Sequence, residues 1–396
     1  MLASRSCALG VAAVLVLVLV LGTGGRAAQQ APAARELSRA QQRFDAAVAG
    51  RDAADAALAA DYAACEAWVL ATADAPAQPP ATLRGYLEEL GVPAERWPQR
   101  RTELAAEAFH VLWNRELYLR SAAAKGYAKA VADLEEAFQA LERLRHPERF
   151  QRGFAETPQG MALVRGGHST LGPCSGYILG YPKLAQERSA RLQPYYLDQR
   201  EVTCAEYARF LLAQPRGLRE EHLPLGWGMD AAGAPLFPEG AAQVPVTGVS
   251  WTSAARYAQW AGKRLPSEDE WEAAAAGTER RRFPMGERFD ATRANGRASG
   301  TGRARPADDY PADSTPQGIR SMTGNVREWT ADLYDEKPGK DRATPVRVAG
   351  AYTMAAVRGG SYLDEPDSCA STFRWMEPAL GARLPNVGFR CAADVR

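Results

Sequence analysis

The segment Val357–Cys369 carries the side chains of this chain that are best suited to chemistry. Two glycines precede Ser361, and Asp364 and Cys369 follow it. A thiolate is a soft metal ligand and a carboxylate is a hard one. The carboxylate could also act as an acid or a base. These residue types predict either a metal-dependent reaction or a cleft that binds a ligand.

The rest of the chain must supply the helices and strands that position this segment. The N-terminal residues, however, have the features of a secretory signal. Arg5 precedes an apolar run from Cys7 to about Leu21, and small residues surround Arg26 where a signal peptidase would cut. The run is shorter than the roughly 20 residues that a membrane-spanning helix needs. We therefore predict a signal peptide over residues 1–28 and a secreted or periplasmic protein with no membrane span after cleavage. A retained N-terminal anchor is the alternative.

Residues 29–152 are predicted to be α-helical because they are rich in Ala, Leu, Glu and Arg. Prolines in the segment Asp74–Ala81 must interrupt the helix. The pattern indicates a coiled-coil-like helical hairpin or small bundle, which could bind a helical partner. Two apolar stripes at helical spacing support it, namely Leu58, Tyr62, Cys65 and Val69, and Tyr127, Val131, Leu134, Phe138 and Leu141.

Residues 153–396 change in character to Gly, Pro, Trp and short apolar runs, which favours a loop-rich α+β domain. Ser267 and Glu270 form a predicted capping box that starts a helix ending at Ala276. Large aromatic side chains usually pack in the core of such a domain. We expect this of Trp251, Trp260, Trp271 and Trp329.

The charge balance argues against a nucleic-acid partner. Lys and Arg total 48 against 47 Asp and Glu. A basic surface is what attracts nucleic acid, and this composition supplies none.

The C-terminal domain contains an ordered series of motifs, namely Met161–Gly167, Pro194–Thr203, Pro245–Trp251, Ala261–Glu272, Gly324–Trp329, Arg358–Tyr362 and Asn386–Cys391. This series resembles the formylglycine-generating enzymes, which are also called sulfatase-modifying factors. The resemblance implies an α+β fold of the C-type-lectin-like kind with little regular secondary structure.

The resemblance also implies a site in the Val357–Cys369 segment. In catalytic members two cysteines follow the Gly-Gly-Ser-Tyr run, hold copper(I) and oxidise a cysteine of a client protein. Here the first of these positions is Asp364 and only the second, Cys369, is a cysteine. Copper(I) prefers thiolate ligands, so copper is not expected with a single cysteine.

The same resemblance assigns ligand-binding roles. Ser361 and Asn386 align with residues that contact the client peptide, and Tyr362 is expected in the cleft wall. Arg327 stands where catalytic relatives carry a tryptophan that lines the pocket. A peptide, a protein or a glycan is the expected ligand.

Family members also hold structural calcium, and one calcium loop aligns with Ser321, Gly324, Val326 and Glu328. Calcium takes about six to eight oxygen ligands. Here two backbone carbonyls and the Glu328 carboxylate would supply some of them, and a hydroxyl replaces the usual side chain at Ser321. Calcium is therefore the candidate cofactor.

The cysteines left after signal cleavage are odd in number, so at least one thiol is unpaired or pairs between chains. In animal relatives the positions of Ala258 and Ala275 are cysteines, and Cys391 consequently loses its usual partner. We expect Cys369 to form a disulfide with Cys391, Cys174 or Cys204, and a free reactive thiol is the alternative.

Three functions are consistent with these residues. The first is a domain that binds a peptide, protein or glycan without making formylglycine. The second is a metal-dependent oxidase of the formylglycine-generating or a related type that uses Cys369 and Asp364. The third is an envelope scaffold that acts through the helical region.

Overall fold

The computed structural model describes residues 26–70, 78–104, 117, 121–150, 153–172, 187–333, 354–379 and 381–396. Residues 1–25 of the predicted signal peptide lie outside these ranges. Among the helices of the described residues, none has the length and apolar character that crossing a membrane requires.

Long helices dominate the N-terminal region of the described chain. Helix α1 spans Arg26–Leu70 and runs antiparallel to α4, Ala122–Arg145, with the shorter helices α2, Ala81–Glu89, and α3, Trp97–Leu104, between them in sequence. The stripe that includes Cys65 packs against α2, and the stripe that includes Phe138 packs against the first half of α1. The predicted helical hairpin or small bundle is therefore observed.

One carboxylate joins three helices of this region. The Oδ2 atom of Asp61 in α1 accepts hydrogen bonds from Thr82 Oγ1 at 2.8 Å and from Ser121 Oγ at 2.5 Å. Ser121 in turn caps α4 by accepting a hydrogen bond from the backbone of Ala124. Buried hydroxyls need such partners, so Asp61 fixes where α2 and α4 begin relative to α1.

The C-terminal domain mixes short helices with small sheets, and the predicted α+β class is confirmed. Its helices are α5 (Cys204–Ala213), α6 (Arg216–His222), α7 (Trp251–Trp260) and α8 (Glu268–Ala276). Its strands are β1 (Met161–Val164), β2 (Gly167–Leu171), β3 (Arg188–Leu192), β4 (Tyr195–Asp198), β5 (Gly228–Met229), β6 (Pro235–Leu236), β7 (Arg327–Leu333), β8 (Met354–Arg358), β9 (Arg374–Pro378), β10 (Val387–Gly388) and β11 (Ala392–Asp394).

Two of the sheets organise this domain. Strands β1, β4 and β11 form an antiparallel sheet with β4 in the centre. The other sheet has the order β10-β7-β8-β9, in which β10 runs parallel to β7 and the remaining pairs are antiparallel. Two-stranded pairs, β2 with β3 and β5 with β6, complete the strands.

The core of the domain follows the predicted pattern. Trp251, Trp271 and Trp329 are buried, and Trp260 packs at the margin of the largest apolar cluster. The capping box of α8 is also present, since Ser267 accepts a hydrogen bond from Glu270 N and the Glu270 side chain returns to the backbone of Ser267. Local sequence signals therefore describe this part of the domain well.

Helix α6 connects the helical region to the C-terminal domain. Leu218 of α6 is buried in one apolar cluster with Leu134 and Phe138 of α4. Beside it, Arg51 of α1 donates to Glu220 at 3.0 Å and to Tyr127 at 3.3 Å. The two parts of the chain therefore share a packed interface.

Candidate functional site

The sheet topology brings the predicted site residues to one end of the β10-β7-β8-β9 sheet. Strand β7 begins at Arg327, and the antiparallel strand β8 ends just before the Gly359–Ser361 turn. Strand β10 is parallel to β7 with Val387 opposite Arg327, which places Asn386 at the same end. The start of one strand and the end of its antiparallel neighbour always meet at one edge.

The two glycines of the turn are required by close neighbours. Gly359 has a φ of 71°, which side chains with a Cβ rarely adopt. A Cβ atom at Gly360 would lie 2.3 Å from the Sγ atom of Cys369. The turn therefore rests directly on Cys369.

Ser361, Asp364 and Asn386 form one hydrogen-bonded group. The Oδ2 atom of Asp364 accepts from Ser361 Oγ at 2.6 Å and from the Ser361 backbone at 2.8 Å. Asn386 Nδ2 donates to Ser361 Oγ at 3.1 Å. The residues that the resemblance assigns to ligand contact are thus brought together.

Arg327 completes this group with a bidentate ion pair. Its Nε atom lies 2.9 Å from Asp364 Oδ2 and its Nη2 atom lies 2.6 Å from Oδ1. A further contact joins Nη1 to Glu377 Oε1 at 3.3 Å, and the guanidinium lies 3.4 Å from the centroid of the Trp375 ring. Paired hydrogen bonds and stacking of this kind hold a guanidinium in one orientation.

Tyr362 lies beside the group. Its backbone N–H donates to Asn325 O at 3.0 Å, and its hydroxyl donates to Pro385 O at 3.4 Å. The side chain is half-buried.

Cys369 lies behind the turn, against Gly360. Its side chain is fully buried with Phe283 and Ala370. Burial, together with the nearby Asp364 carboxylate, raises the pKa of the thiol well above its usual range. A thiol of this kind is inert, because the thiolate is the reactive form.

The expected disulfide of Cys369 is wrong. Cys369, Cys204 and Cys391 are free, and the latter two pack in the largest apolar cluster while Cys369 packs in another. Cys174 lies outside the described residues. The alternative of a free thiol holds for Cys369, although its burial removes the reactivity that this alternative assumed.

The residues of the predicted calcium loop are close together, but the carboxylate is already engaged. Glu328 accepts from Arg390 Nε and Nη2, each at 2.7 Å, and from Trp271 Nε1 at 2.9 Å. Ser321 is buried with a φ of 58°. Gly324 allows the loop to approach Asn295, whose carbonyl oxygen would lie 2.5 Å from a Cβ at this position. This donor set fits calcium poorly, because a cation would compete with Arg390 for Glu328.

Near this loop the carboxyl groups of Glu201 and Asp313 are buried, and neighbouring positive charges and hydrogen bonds only partly offset the cost of burial. Burial raises the pKa of Glu201 to about 8, although Arg390 opposes the shift. Glu201 Oε1 accepts from Asn325 Nδ2 at 2.9 Å, and Oε2 has no partner within the described structure. Burial similarly raises the pKa of Asp313 to about 6 despite its hydrogen bonds from Thr323.

Trp375 and Glu377 were not predicted from the sequence. Both lie on β9, where alternate residues face the same side of the sheet, and both contact Arg327. The alternation of Trp375 and Glu377 could have placed them on one face. Nothing local indicates that this face meets Arg327.

Comparisons with known proteins agree with the motif series. A family model described as a sulfatase-modifying factor enzyme 1-like domain matches residues 147–395. The formylglycine-generating enzyme of Streptomyces coelicolor is 31% identical over 293 residues, which cover 60% of this chain and 90% of that protein.

Other relatives carry different names. The serine/threonine-protein kinase Pkn1 of Chlamydia trachomatis serovar L2 is 33% identical over 249 residues, which cover 60% of this chain and 38% of the kinase. The chain thus spans well under half the length of that relative. An inactive C-alpha-formylglycine-generating enzyme 2 of Mus musculus is 33% identical over 166 residues, which cover 38% of this chain and 50% of that protein.

Proposed function

The chain belongs to the sulfatase-modifying factor family, and we propose that its C-terminal domain binds a peptide, protein or glycan and does not make formylglycine. The observation that carries this proposal is the ion pair between Arg327 and Asp364. It stands at the position of one copper-binding cysteine in catalytic relatives.

The side chains at this position do not fit copper(I). A soft ion needs thiolates, whereas Asp364 offers hard oxygens that already accept hydrogen bonds from Arg327 and Ser361. The remaining thiol, Cys369, is fully buried behind the Gly359–Ser361 turn. Asp364 and Cys369 therefore do not provide a copper(I) site.

Two departures from the catalytic pattern compensate each other. A carboxylate at position 364 and a guanidinium at position 327 would each be costly if buried alone. Together they form a pair whose side chains are 8% and 13% exposed. This complementarity supports a stable domain in which binding replaced oxidation.

The groups expected to contact a ligand lie next to each other. Ser361 and Asn386 are hydrogen-bonded to each other, and Leu363 next to them is exposed. Fixed polar groups beside an exposed apolar side chain are typical of recognition sites.

A direct assay tests the proposal. The purified protein would be incubated with copper, oxygen, a thiol reductant and a peptide containing Cys-x-Pro-x-Arg, and aldehyde formation would be measured by mass spectrometry. We expect no conversion, with the Streptomyces coelicolor enzyme as positive control. Conversion that is lost in Cys369→Ser would overturn the proposal and favour the oxidase alternative.

The scaffold alternative rests on the helical region. Part of that region packs against the C-terminal domain of the same chain, since α4 contacts Leu218 and α1 contributes Arg51 to the same interface. We propose that the helical region supports the C-terminal domain, and that the chain is exported through the signal predicted over residues 1–28. Capture of a partner by the helical residues alone, lost when residues 34–150 are removed, would favour the scaffold.

A further inference from the structure

A cavity of about 410 Å³ lies where β4 ends at Asp198, beside helices α5 and α7. Helix α5 contributes Glu206 and Arg209 to its lining, and α7 contributes Tyr257. Lys263 lines it as well. Cavities of roughly 300–1,000 Å³ are typical of small-molecule sites. The residues that form the Arg327 group do not line this cavity, so it is a separate feature of the described structure.

Two carboxylates in the lining are already engaged by donors of the protein. Asp198 accepts from Lys263 Nζ at 2.6 Å on Oδ1 and from the backbone of Cys391 at 2.9 Å on Oδ2. Glu206 accepts from Arg200 Nη1 and Nη2 at 2.9 and 3.0 Å. The acceptors of these two side chains are therefore satisfied without a ligand.

Glu201 is the third carboxyl group of the lining, and its side chain is almost completely buried. Its Oε1 atom accepts from Asn325 Nδ2 at 2.9 Å. Burial raises the pKa of this carboxyl to about 8, so the group is mostly protonated at neutral pH. It adds little negative charge to the cavity.

Donors of the lining, in contrast, are left over. The Tyr257 hydroxyl makes no hydrogen bond to the described residues, and Arg209 is exposed and has no ion pair among them. Burial raises the pKa of the Tyr257 hydroxyl, and the positive charge of Arg209 only partly opposes this, so the hydroxyl keeps its proton. Lys263 uses one of its three N–H groups on Asp198. A ligand of this cavity must therefore present acceptors.

We propose that this cavity binds the carboxylate of a small organic acid. Arg209 supplies the balancing charge, and Tyr257 and Lys263 supply hydrogen bonds. The one lining cation without an ion pair matches one negative charge. A phosphate monoester carries about 1.5 to 2 negative charges, which would be repelled by Asp198 and Glu206. This inference goes beyond the function proposed for the Arg327 group and does not depend on it.

Binding can be measured on the full chain by isothermal titration at low ionic strength. The probes are gluconate, its uncharged amide gluconamide, and glucose 6-phosphate. A polyhydroxylated body suits a lining of polar side chains. We expect gluconate to bind about tenfold or more tightly than gluconamide, because the amide removes the charge that pairs with Arg209. We also expect gluconate to bind more tightly than glucose 6-phosphate.

A matched pair of variants tests the location. Arg209→Gln should weaken gluconate binding about tenfold. Arg165→Gln should leave it unchanged, since Arg165 is also exposed and follows the end of β1 that is remote from Gly160, a lining residue.

Tyr257→Phe tests the hydroxyl separately. The ring, which stacks on Tyr207 with centroids 5.8 Å apart, is retained, so the fold should be preserved and thermal unfolding checks this. Loss of one hydrogen bond should weaken gluconate binding about fivefold.

Equal binding of gluconate and gluconamide would overturn this inference, as would gluconate binding that is indifferent to Arg209→Gln. Tighter binding of glucose 6-phosphate would overturn the carboxylate assignment in favour of a phosphate. Absence of binding by all three probes would also contradict the proposal. The oxidation assay addresses Cys369 and Asp364 and is unaffected by any of these outcomes.

Discussion

The guanidinium of Arg327 and the carboxylate of Asp364 form a bidentate pair, with nitrogen-to-oxygen distances of 2.9 and 2.6 Å. This pair stands where catalytic relatives have a tryptophan and a metal-binding cysteine. Both changes lie in one contact, so each is explained by the other.

The coupling between these two residues is measurable. Arg327→Met and Asp364→Asn should each destabilise the protein by about 2–4 kcal/mol, because the first leaves the Asp364 carboxylate without a cation and the second leaves Arg327 with only its longer contact to Glu377. The double variant should lose less than the sum of the two. Urea unfolding of the four proteins gives the coupling energy.

The nearby pair of Arg297 and Glu365 is a matched control for this cycle. These side chains are 3.5 Å apart and are 68% and 61% exposed. Their coupling should be under about 0.5 kcal/mol. Equal coupling in the two cycles would contradict a special role for the Arg327–Asp364 pair.

Cys369 should resist alkylation in the folded protein. Burial raises the pKa of its thiol, so the reactive thiolate is scarce at neutral pH. Treatment with iodoacetamide followed by peptide mapping should leave Cys369 unmodified, and prior unfolding in guanidinium chloride should make it fully reactive. Rapid modification of native Cys369 would show that the thiol is accessible, contrary to its burial in the structure.

Glu201 should make stability depend on pH. Its folded pKa of about 8 exceeds the usual 4.5, so the native state holds a proton that the unfolded state releases between these values. Stability should therefore fall as pH rises through this window, at a rate of up to about 1.4 kcal/mol per pH unit. Urea unfolding from about pH 5 to about pH 9 would show this.

The variant Glu201→Gln identifies the source of that dependence. It should flatten the curve above about pH 6, while the raised pKa of Asp313, about 6, still contributes at lower pH. The same slope in wild type and variant would assign the effect to other groups.

Calcium removal should leave the fold unchanged. The Glu328 carboxylate is neutralised by Arg390, and both side chains are fully buried. Thermal unfolding in EDTA and in millimolar calcium should therefore give the same Tm. A Tm that rises with calcium concentration would show that the loop at Ser321–Glu328 binds the ion in spite of this pair.

Several features follow from the sequence because their causes are local. The helical stripes and the capping box of Ser267 and Glu270 depend on residues within a few positions of each other. The ordered motifs likewise indicated the family and the α+β fold, and the family match over residues 147–395 confirms the first of these.

The site itself was only partly predictable. The sequence identified Ser361, Asp364, Asn386 and Arg327 as neighbours through the resemblance, but it did not indicate that Arg327 and Asp364 pair. It also favoured a disulfide for Cys369, which the structure shows as a free thiol. No local signal indicated that Trp375 and Glu377 contact Arg327.

The sequence by itself determined the family, the fold class and the loss of one metal-binding cysteine. Only the tertiary structure shows that an ion pair between Arg327 and Asp364 stands in place of that cysteine. Contacts between Arg327, Asp364 and Glu377 join separate strands and loops. The burial of the Cys369 side chain depends on its packing with Phe283. Local periodicity contains no information about such distant pairs, because burial and charge pairing are set only when the strands come together.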